Sequence, residues 1–484
     1  MMKRFLILAV MVSMGLSACQ QANPNDQPGR LTQNKVTATQ DFFDFFDDDI
    51  YHEIVIEVKA TQLNLLDQYM QTSYDRYGHY RISKYVKANF VYRENGKEKI
   101  RINEIGLRTH GNIYSRYLIQ YDSSTMNTLH WRLSFDEPFD LEESTKAYEI
   151  RKKRNLYGLE NLVLKWNMIS VGTIYDTDPY IIESYGYQLY EQVGIPSSKA
   201  SLVHVIFSID GNEIDQGVMT MIEPVDDEFI QKRFSEAKDN GNLYKALWQM
   251  APADLNTIQP SYFGIKNEEK NYFPAYDIKT NEDKNRGEDL KLFIKTYKTK
   301  RGSELYDYLN KTVELDKYMR FSAMNYLFGN PDDFRYNNNN YYLYFDSSAQ
   351  PKLSFIPTDL DKGLGIVDWD PDGSQLKNIL PYDNFTSTGQ NNLSPLIKYT
   401  FLSTTPVFKN AYQKALESLL DEIFTYEDFV EAYEKAYQLY AQDISKMETR
   451  SLSKPMGIPL GVAEYYCIQA YKVINLKQPT SACN

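Results

Sequence analysis

Two acid pairs and a cluster of asparagines fall within one short span of this 484-residue chain. They are Asn330-Pro331-Asp332-Asp333, the run Asn337 to Asn340, and Asp359-Leu360-Asp361-Lys362-Gly363, with the strand-like Tyr341-Tyr342-Leu343-Tyr344 between them. Such side chains suit the movement of a phosphoryl group. One carboxylate receives the proton of an attacking hydroxyl, while Asp and Asn oxygens hold Mg²⁺ on a nucleotide. Asp332 follows a helix-ending Asn-Pro and is expected on a loop where a base can meet substrate; Asp333 is the alternative base. Asn337 lies five residues after Asp332, and Asn338 five after Asp333, an interval suited to a metal ligand. The plainer account of these asparagines is a loop of backbone-mimicking turns. Asp359 and Asp361 follow an apolar strand, Leu353 to Ile356, and precede Gly363 and Gly365, a setting that fits a cation shared with phosphate oxygens and water.

The nucleotide side rests on scattered cations. Arg108 and Arg132 lie on strands flanking Gly111-Asn112, where guanidinium groups and backbone N–H groups could clamp phosphates. Lys165 on a following strand could pair with Glu183 on the next helix. Glu223, after a strand and before Pro224, is placed where a hinge would meet an adenine. Each of these is also an ordinary surface charge by type. No Gly-x-x-x-x-Gly-Lys-Ser/Thr loop, His-x-x-x-His pair or Gly-x-Ser-x-Gly elbow occurs, which disfavours P-loop, zinc and serine-hydrolase chemistry. Acids alone leave a paired-carboxylate glycosidase open, without support from motif order. Asp368-Trp369-Asp370-Pro371-Asp372-Gly373 matches half of a Ca²⁺ loop, but Ile379 stands where the closing Glu belongs, so it reads as an acidic turn.

Met1-Met2-Lys3-Arg4 is cationic, and Phe5 to Leu16 is apolar but too short for a membrane helix of about 20 residues. Leu16-Ser17-Ala18-Cys19 closes it, resembling a bacterial lipoprotein signal that leaves Cys19 as an acylated N-terminus. An ordinary secretory signal is the alternative. Residues 20–48 are expected to form a flexible tether. With 42% hydrophobic residues the remainder is ample for a large core, and the net charge of −12 disfavours nucleic acid as a partner. Cys467 and Cys483 either pair, as exported cysteines do, or stand as free thiols.

The elements that must position these residues read as α+β. His52 to Val58 alternates like a strand, and a hairpin turns at Asn95-Gly96. Strands follow at Ile105–Arg108 and Trp131–Phe135, then a helix over Pro179–Val193 and a second hairpin turned by Asp210-Gly211-Asn212. Phe263 to Arg286 reads as a long excursion between lobes; helices dominate Leu290–Phe328 and Pro406–Lys446. This predicts a strand-rich N-terminal lobe over 49–225, a mainly helical C-terminal lobe over 226–450, and a C-terminal segment over 451–484.

The order of motifs resembles the CotH kinase family, spore-coat-type secreted kinases with a divergent protein-kinase-like, two-lobed fold. The blocks are Ile105-Gly106-Leu107-Arg108-Thr109-His110-Gly111-Asn112 with Ser115-Arg116; Leu162-Val163-Leu164 before Asp178-Pro179; Gly194-Ile195-Pro196; Asp210-Gly211-Asn212; Gly241-Asn242-Leu243-Tyr244-Lys245; and Tyr276-Asp277-Ile278-Lys279-Thr280. Asn330-x-Asp332, Asn339-Asn340-Tyr341-Tyr342 and Ile356-Pro357-x-Asp359-x-Asp361 complete the set, so the resemblance spans His52 to Val367. It implies that Asp332 is the catalytic base, that Asp359 and Asn340 (or Asn339) hold Mg²⁺ or Mn²⁺ with Asp361 as second ligand or orienting partner, and that ATP is the donor to Ser or Thr hydroxyls of a surface or coat-type protein. The chain departs from the family pattern at Thr358, often Trp; at Ile182, often Arg; and at His130-Trp131, often Lys. A degenerate, lipid-anchored surface-binding module (adhesion or scaffold) is therefore the alternative to an envelope kinase on the periplasmic or extracellular face.

Overall fold

Seven strands with inward-facing apolar residues close on themselves. In the computed structural model, which describes residues 36–113, 115–167, 177, 179–365, 378–384, 393–448, 456–476 and 483, they are β1 (His52–Val58), β2 (Val86–Glu94), β3 (Lys97–Thr109), β4 (Trp131–Ser134), β5 (Asn161–Trp166), β6 (Ala200–Ile209) and β7 (Asn212–Ile222). Their order around the barrel is β1-β2-β3-β4-β5-β7-β6. Neighbours are antiparallel except β1 and β6, which close the barrel in parallel. Both tight hairpins use two left-handed residues, Asn95-Gly96 (φ 48° and 75°) and Asp210-Gly211 (φ 49° and 87°), matching the strand twist. Inside, Trp131 lies 4.8 Å from Phe207 among Ile54, Ile56, Phe90, Leu107 and Leu164. The helices of this half are α1 (Gln40–Asp44), α2 (Ala60–Tyr77), α3 (Lys146–Lys152) and α4 (Ile182–Gln192). Leu63, Leu66 and Met70 of α2 complete the barrel core.

A second sheet follows. After α5 (Asp227–Arg233), strands β8 (Asn242–Ala246), β9 (Phe263–Gly264), β10 (Tyr276–Ile278), β11 (Tyr341–Phe345) and β12 (Leu353–Pro357) pair in the order β12-β11-β8-β10-β9. Helices α6 (Glu288–Tyr297), α7 (Gly302–Thr312), α8 (Leu315–Phe328), α9 (Pro395–Tyr399), α10 (Pro406–Glu422), α11 (Tyr426–Glu448) and α12 (Leu460–Asn475) complete this half. One apolar core runs from Val163, Leu202 and Ile222 of the barrel through α4 into these helices. From Val36 onward the chain is one compact unit, in which this core joins the barrel to the second sheet and its helices.

Several expectations change. The strand-rich half is a closed barrel. The residues expected to be mainly helical contain a five-stranded sheet, and the supposed excursion at 263–286 supplies two of its strands. From Val36 the expected tether packs instead: Phe42, Phe45 and Phe46 are buried, and Thr39 caps α1 by accepting the Phe42 N–H. Apolar side chains in an otherwise polar run carry that segment onto the barrel. Within the C-terminal segment α12 contributes Val462, Tyr465 and Val473 to the core, and Cys467 is disulfide-bonded to Cys483. Cys19, Asp178 and Asp368 to Gly373 lie outside the described residues. Among the described residues no helix is long and apolar enough to cross a membrane.

Helix α11 is fastened to the barrel by charge. The His204 ring meets Asp215 at 2.8 Å and the Tyr51 hydroxyl at 3.0 Å, and that hydroxyl donates to Asp443 at 2.9 Å. Burial lowers the imidazole, but Asp215 and Glu53 outweigh it and raise it to about 9. A folded-state value above the unfolded one of about 6.5 gives stability that is complete below that pH and lost as pH rises through 9. Denaturant titrations should show a loss on the order of 2 kcal/mol across this window, absent in His204→Gln.

Candidate functional site

Helix α8 stops at Gly329, left-handed at φ 64°, and Pro331 prevents another turn. The loop that follows is organised around Asp332. Its backbone N–H donates to Asn330 Oδ1 at 3.0 Å, and its carboxylate accepts from the amides of Asn337 (2.5 Å), Asn339 (3.2 Å) and Asn340 (3.0 Å). Asn338 and Asn340 both sit at φ 52°, a conformation Asn tolerates better than most residues. The asparagine run thus has two tasks, bending the backbone and aiming amides at one carboxylate. Lys362 Nζ stands 3.9 Å from Asp332. Burial raises the Asp332 carboxyl, partly offset by Lys362 and Asn337, as befits a proton acceptor. Asp333 points inward instead, where its carboxylate accepts from Asn325 Nδ2 and the Tyr336 N–H. Burial pushes it up to about 7.

Strand β12 delivers the second acid pair. Asp359 adopts φ 60°, which costs a residue with a side chain roughly 1–2 kcal/mol. Its carbonyl accepts the Asn330 amide at 2.9 Å and its N–H donates to the Tyr187 hydroxyl at 3.0 Å. The Asn330 side chain therefore ties the two acidic loops to each other.

Lys165 joins them to the barrel. On β5 the side chains of Leu162 and Leu164 fill the barrel, so Lys165 points outward against α4. There its ammonium meets Glu183 at 2.9 Å, Asp359, and Asp361 at 3.3 Å. Burial opposes its charge, but Asp359 and Asp361 hold it well above the usual lysine range. Enclosure would raise Asp359, yet Lys165 and then Lys362 keep it well below the carboxylate range. Burial leaves Glu183 raised to about 8, only partly offset by Lys165.

The arginines have protein partners of their own: Arg108 donates to the carbonyls of Ile82 at 3.4 Å and Thr109 at 3.1 Å, and Arg132 donates to Asn161 Oδ1 at 3.4 Å. Arg108 and Arg132 are register partners on β3 and β4. His110 is half-buried with its Nδ1 enclosed, and it is held well below its ordinary value, by burial first and then by the charges of Arg108, Arg132, Arg116 and Lys245. Arg116 is held by Glu268 at 3.5 Å and by the carbonyls of Gly111 and Ile82. Glu223 stands apart. Its buried carboxylate takes Lys232 at 3.2 Å, Arg233, and the Lys199 N–H at 3.1 Å. An adenine contact by this side chain has no support in the geometry, because its oxygens serve a buried ion pair. Sequence reasoning missed Lys362, Asn330, Tyr187 and Arg116. Lys362 beside Asp361, and Asn330 and Arg116 within the motif blocks, offered a signal but no role; Tyr187 offered none.

Among the described residues, no group of three or more His, Cys, Asp or Glu side chains is arranged to hold a metal ion. The donor set nevertheless fits a hard cation. Asp361 Oδ1 is buried without a hydrogen-bond partner, and Asn340 stands beside Asp332, its carbonyl accepting the Thr358 N–H at 3.2 Å. Mg²⁺ needs few protein oxygens when phosphates and water supply the rest.

A family model described as CotH kinase protein matches residues 107–455, more than half of the chain. The chain belongs to the CotH kinase family, a class with kinase-like chemistry. No curated protein matches it.

Asp333 and Asp332 should separate by experiment. Between pH 4 and 7 the folded protein keeps a proton on Asp333 that the unfolded chain has released, so stability falls as pH rises. Asp333→Asn should flatten that slope by on the order of 2 kcal/mol in urea denaturation at pH 5 and 8, because Asn325 Oδ1, unpartnered now, can accept the new amide.

Proposed function

We propose that this protein is a secreted, lipid-anchored kinase that transfers the γ-phosphate of ATP to Ser or Thr hydroxyls of a surface or coat-type protein. The observation that carries this reading is the convergence of Lys165, Glu183, Asp359 and Asp361 beside a loop centred on Asp332. A lysine–glutamate pair and a metal-loop Asp are the parts that kinase chemistry requires together. On this reading the barrel takes the place of the N-terminal lobe of a divergent kinase-like fold.

The proton on the acceptor hydroxyl passes to Asp332 as its oxygen bonds to the γ-phosphorus. The bond from that phosphorus to the bridging oxygen breaks, and ADP departs. Asp359, Asp361 and Asn340 would hold Mg²⁺ or Mn²⁺, which when bound supplies neutralisation of phosphate charge. Lys165, oriented by Glu183, positions the donor phosphates, and Arg108 and Arg132 supply further positive charge along the tail. Lys362, next to Asp332, keeps the base from repelling the incoming phosphate. The low ATP supply outside the cytoplasm requires tight nucleotide capture, to which the register partners Arg108 and Arg132 would contribute charge. Cys19 would carry the lipid that places the enzyme at the membrane.

Radiolabelled ATP with Mg²⁺ or Mn²⁺ should label protein Ser or Thr. Folded Asp332→Asn and Asp359→Asn variants should lose about 10²–10⁴-fold in rate. Nucleotide binding without transfer in wild type would favour the degenerate surface-binding module. Cys19→Ser should move the protein from the membrane to the soluble envelope fraction on fractionation.

A further inference from the structure

Helix α4 meets the Asp359 loop at two places, one polar and one steric. Glu183 and Tyr187 are four residues apart and share a face of the helix. The first reaches the Lys165 ammonium and the second reaches backbone: the Asp359 N–H donates to the Tyr187 hydroxyl at 3.0 Å. That hydroxyl also bonds the Thr358 side chain, and the ring is almost wholly buried. Burial and the neighbouring Glu183 keep the phenol neutral, so it adds no charge to an already acidic group. Between these two residues, Gly186 leaves the space that Leu360 and Phe328 fill. A Cβ there would lie 2.8 Å from the Phe328 ring and 3.1 Å from Leu360.

Asp359 draws on this support because φ 60° lies in the left-handed region, which Asp enters more readily than most residues but still with help from local hydrogen bonds. Its two backbone groups are held from opposite sides, the carbonyl by Asn330 of the catalytic loop and the N–H by Tyr187. Releasing either lets the residue relax toward extended backbone and swing its carboxylate off Lys165.

We propose that Tyr187 is a positioning residue that locks Asp359 in the left-handed conformation in which its carboxylate faces both Lys165 and the bound cation. The consequence for metal binding rests on the phosphotransferase reading; the backbone lock does not.

Tyr187→Phe removes the hydroxyl and keeps the ring. The Asp359 amide, followed by NMR hydrogen exchange, should exchange at least about 10-fold faster than in wild type, in line with the loss of an orienting contact. Mn²⁺ titrated in the presence of ADP and followed by electron paramagnetic resonance should bind about 10-fold more weakly, and kcat should fall while KM for the acceptor holds. Gly186→Ala retains the hydroxyl but displaces Leu360. It should weaken Mn²⁺ similarly, and it carries the test should Tyr187→Phe fail to fold. Unchanged Asp359 exchange in folded Tyr187→Phe, or in Gly186→Ala should the former not fold, overturns the lock; faster exchange with unchanged Mn²⁺ affinity overturns its consequence for the metal. If wild type neither binds Mn²⁺ nor transfers phosphate, the phosphotransferase reading fails, and the exchange measurement still decides the lock.

Discussion

A single ammonium group, that of Lys165, is shared by carboxylates from a helix and from a loop nearly two hundred residues away. Removing charge from water is costly, so such a group persists only where its partners are close and well oriented. Here the balance is tilted toward the acids. Three carboxylates face Lys165, and Asp332 lies near enough to raise its own carboxyl further through Asp359. Lys362 offsets part of this. Burial first, and then the charges of Asp361 and Asp359, raise Glu183 to about 8. A divalent cation brought in with phosphate oxygens would remove the excess negative charge while the neighbouring cations took the phosphate charge.

The charges can meet because the packing beneath them is close. Phe328, the last residue of α8, lies where side chains on both Gly186 and Gly363 would collide with its ring. It therefore holds α4, the start of the Asp332 loop and the end of the Asp359 loop against one another. The Leu364 N–H donates to the Phe328 carbonyl at 2.6 Å, closing the same joint through backbone. Glycine inside α4 lowers helix propensity by about 1 kcal/mol relative to alanine, which is the local concession for this contact. The positions of the candidate site are thus set by apolar fit as much as by electrostatic attraction.

Much of this was legible from residue types. Both hairpins announced themselves through Asn-Gly and Asp-Gly, because few residues tolerate consecutive positive φ angles. Lys165 and Glu183 could be paired from a strand followed by a helix. Barrel closure could not be read, since the parallel β1–β6 contact joins strands far apart in sequence and leaves no local pattern. Strands β9 and β10 were hidden in a polar stretch because they are only two and three residues long. Asn340 and Asp332 were separable from their neighbours only by family pattern. Their distinction is directional: Asp333 faces Asn325 in the core, whereas Asp332 faces three amides and Lys362. Glu223 misled because a charge after a strand looks like a hinge until its two cations are seen.

The account stands on the excess negative charge around Lys165 being met by a nucleotide-bound cation. Anomalous diffraction from crystals grown with Mn²⁺ and a non-hydrolysable ATP analogue measures this directly. A peak about 2.1 Å from oxygens of Asp359 and Asp361, with Lys165 turned onto phosphate and still paired to Glu183, is the expected result. Nucleotide bound with no peak at those carboxylates, or a peak held by other side chains while Lys165 keeps both aspartates, would contradict it.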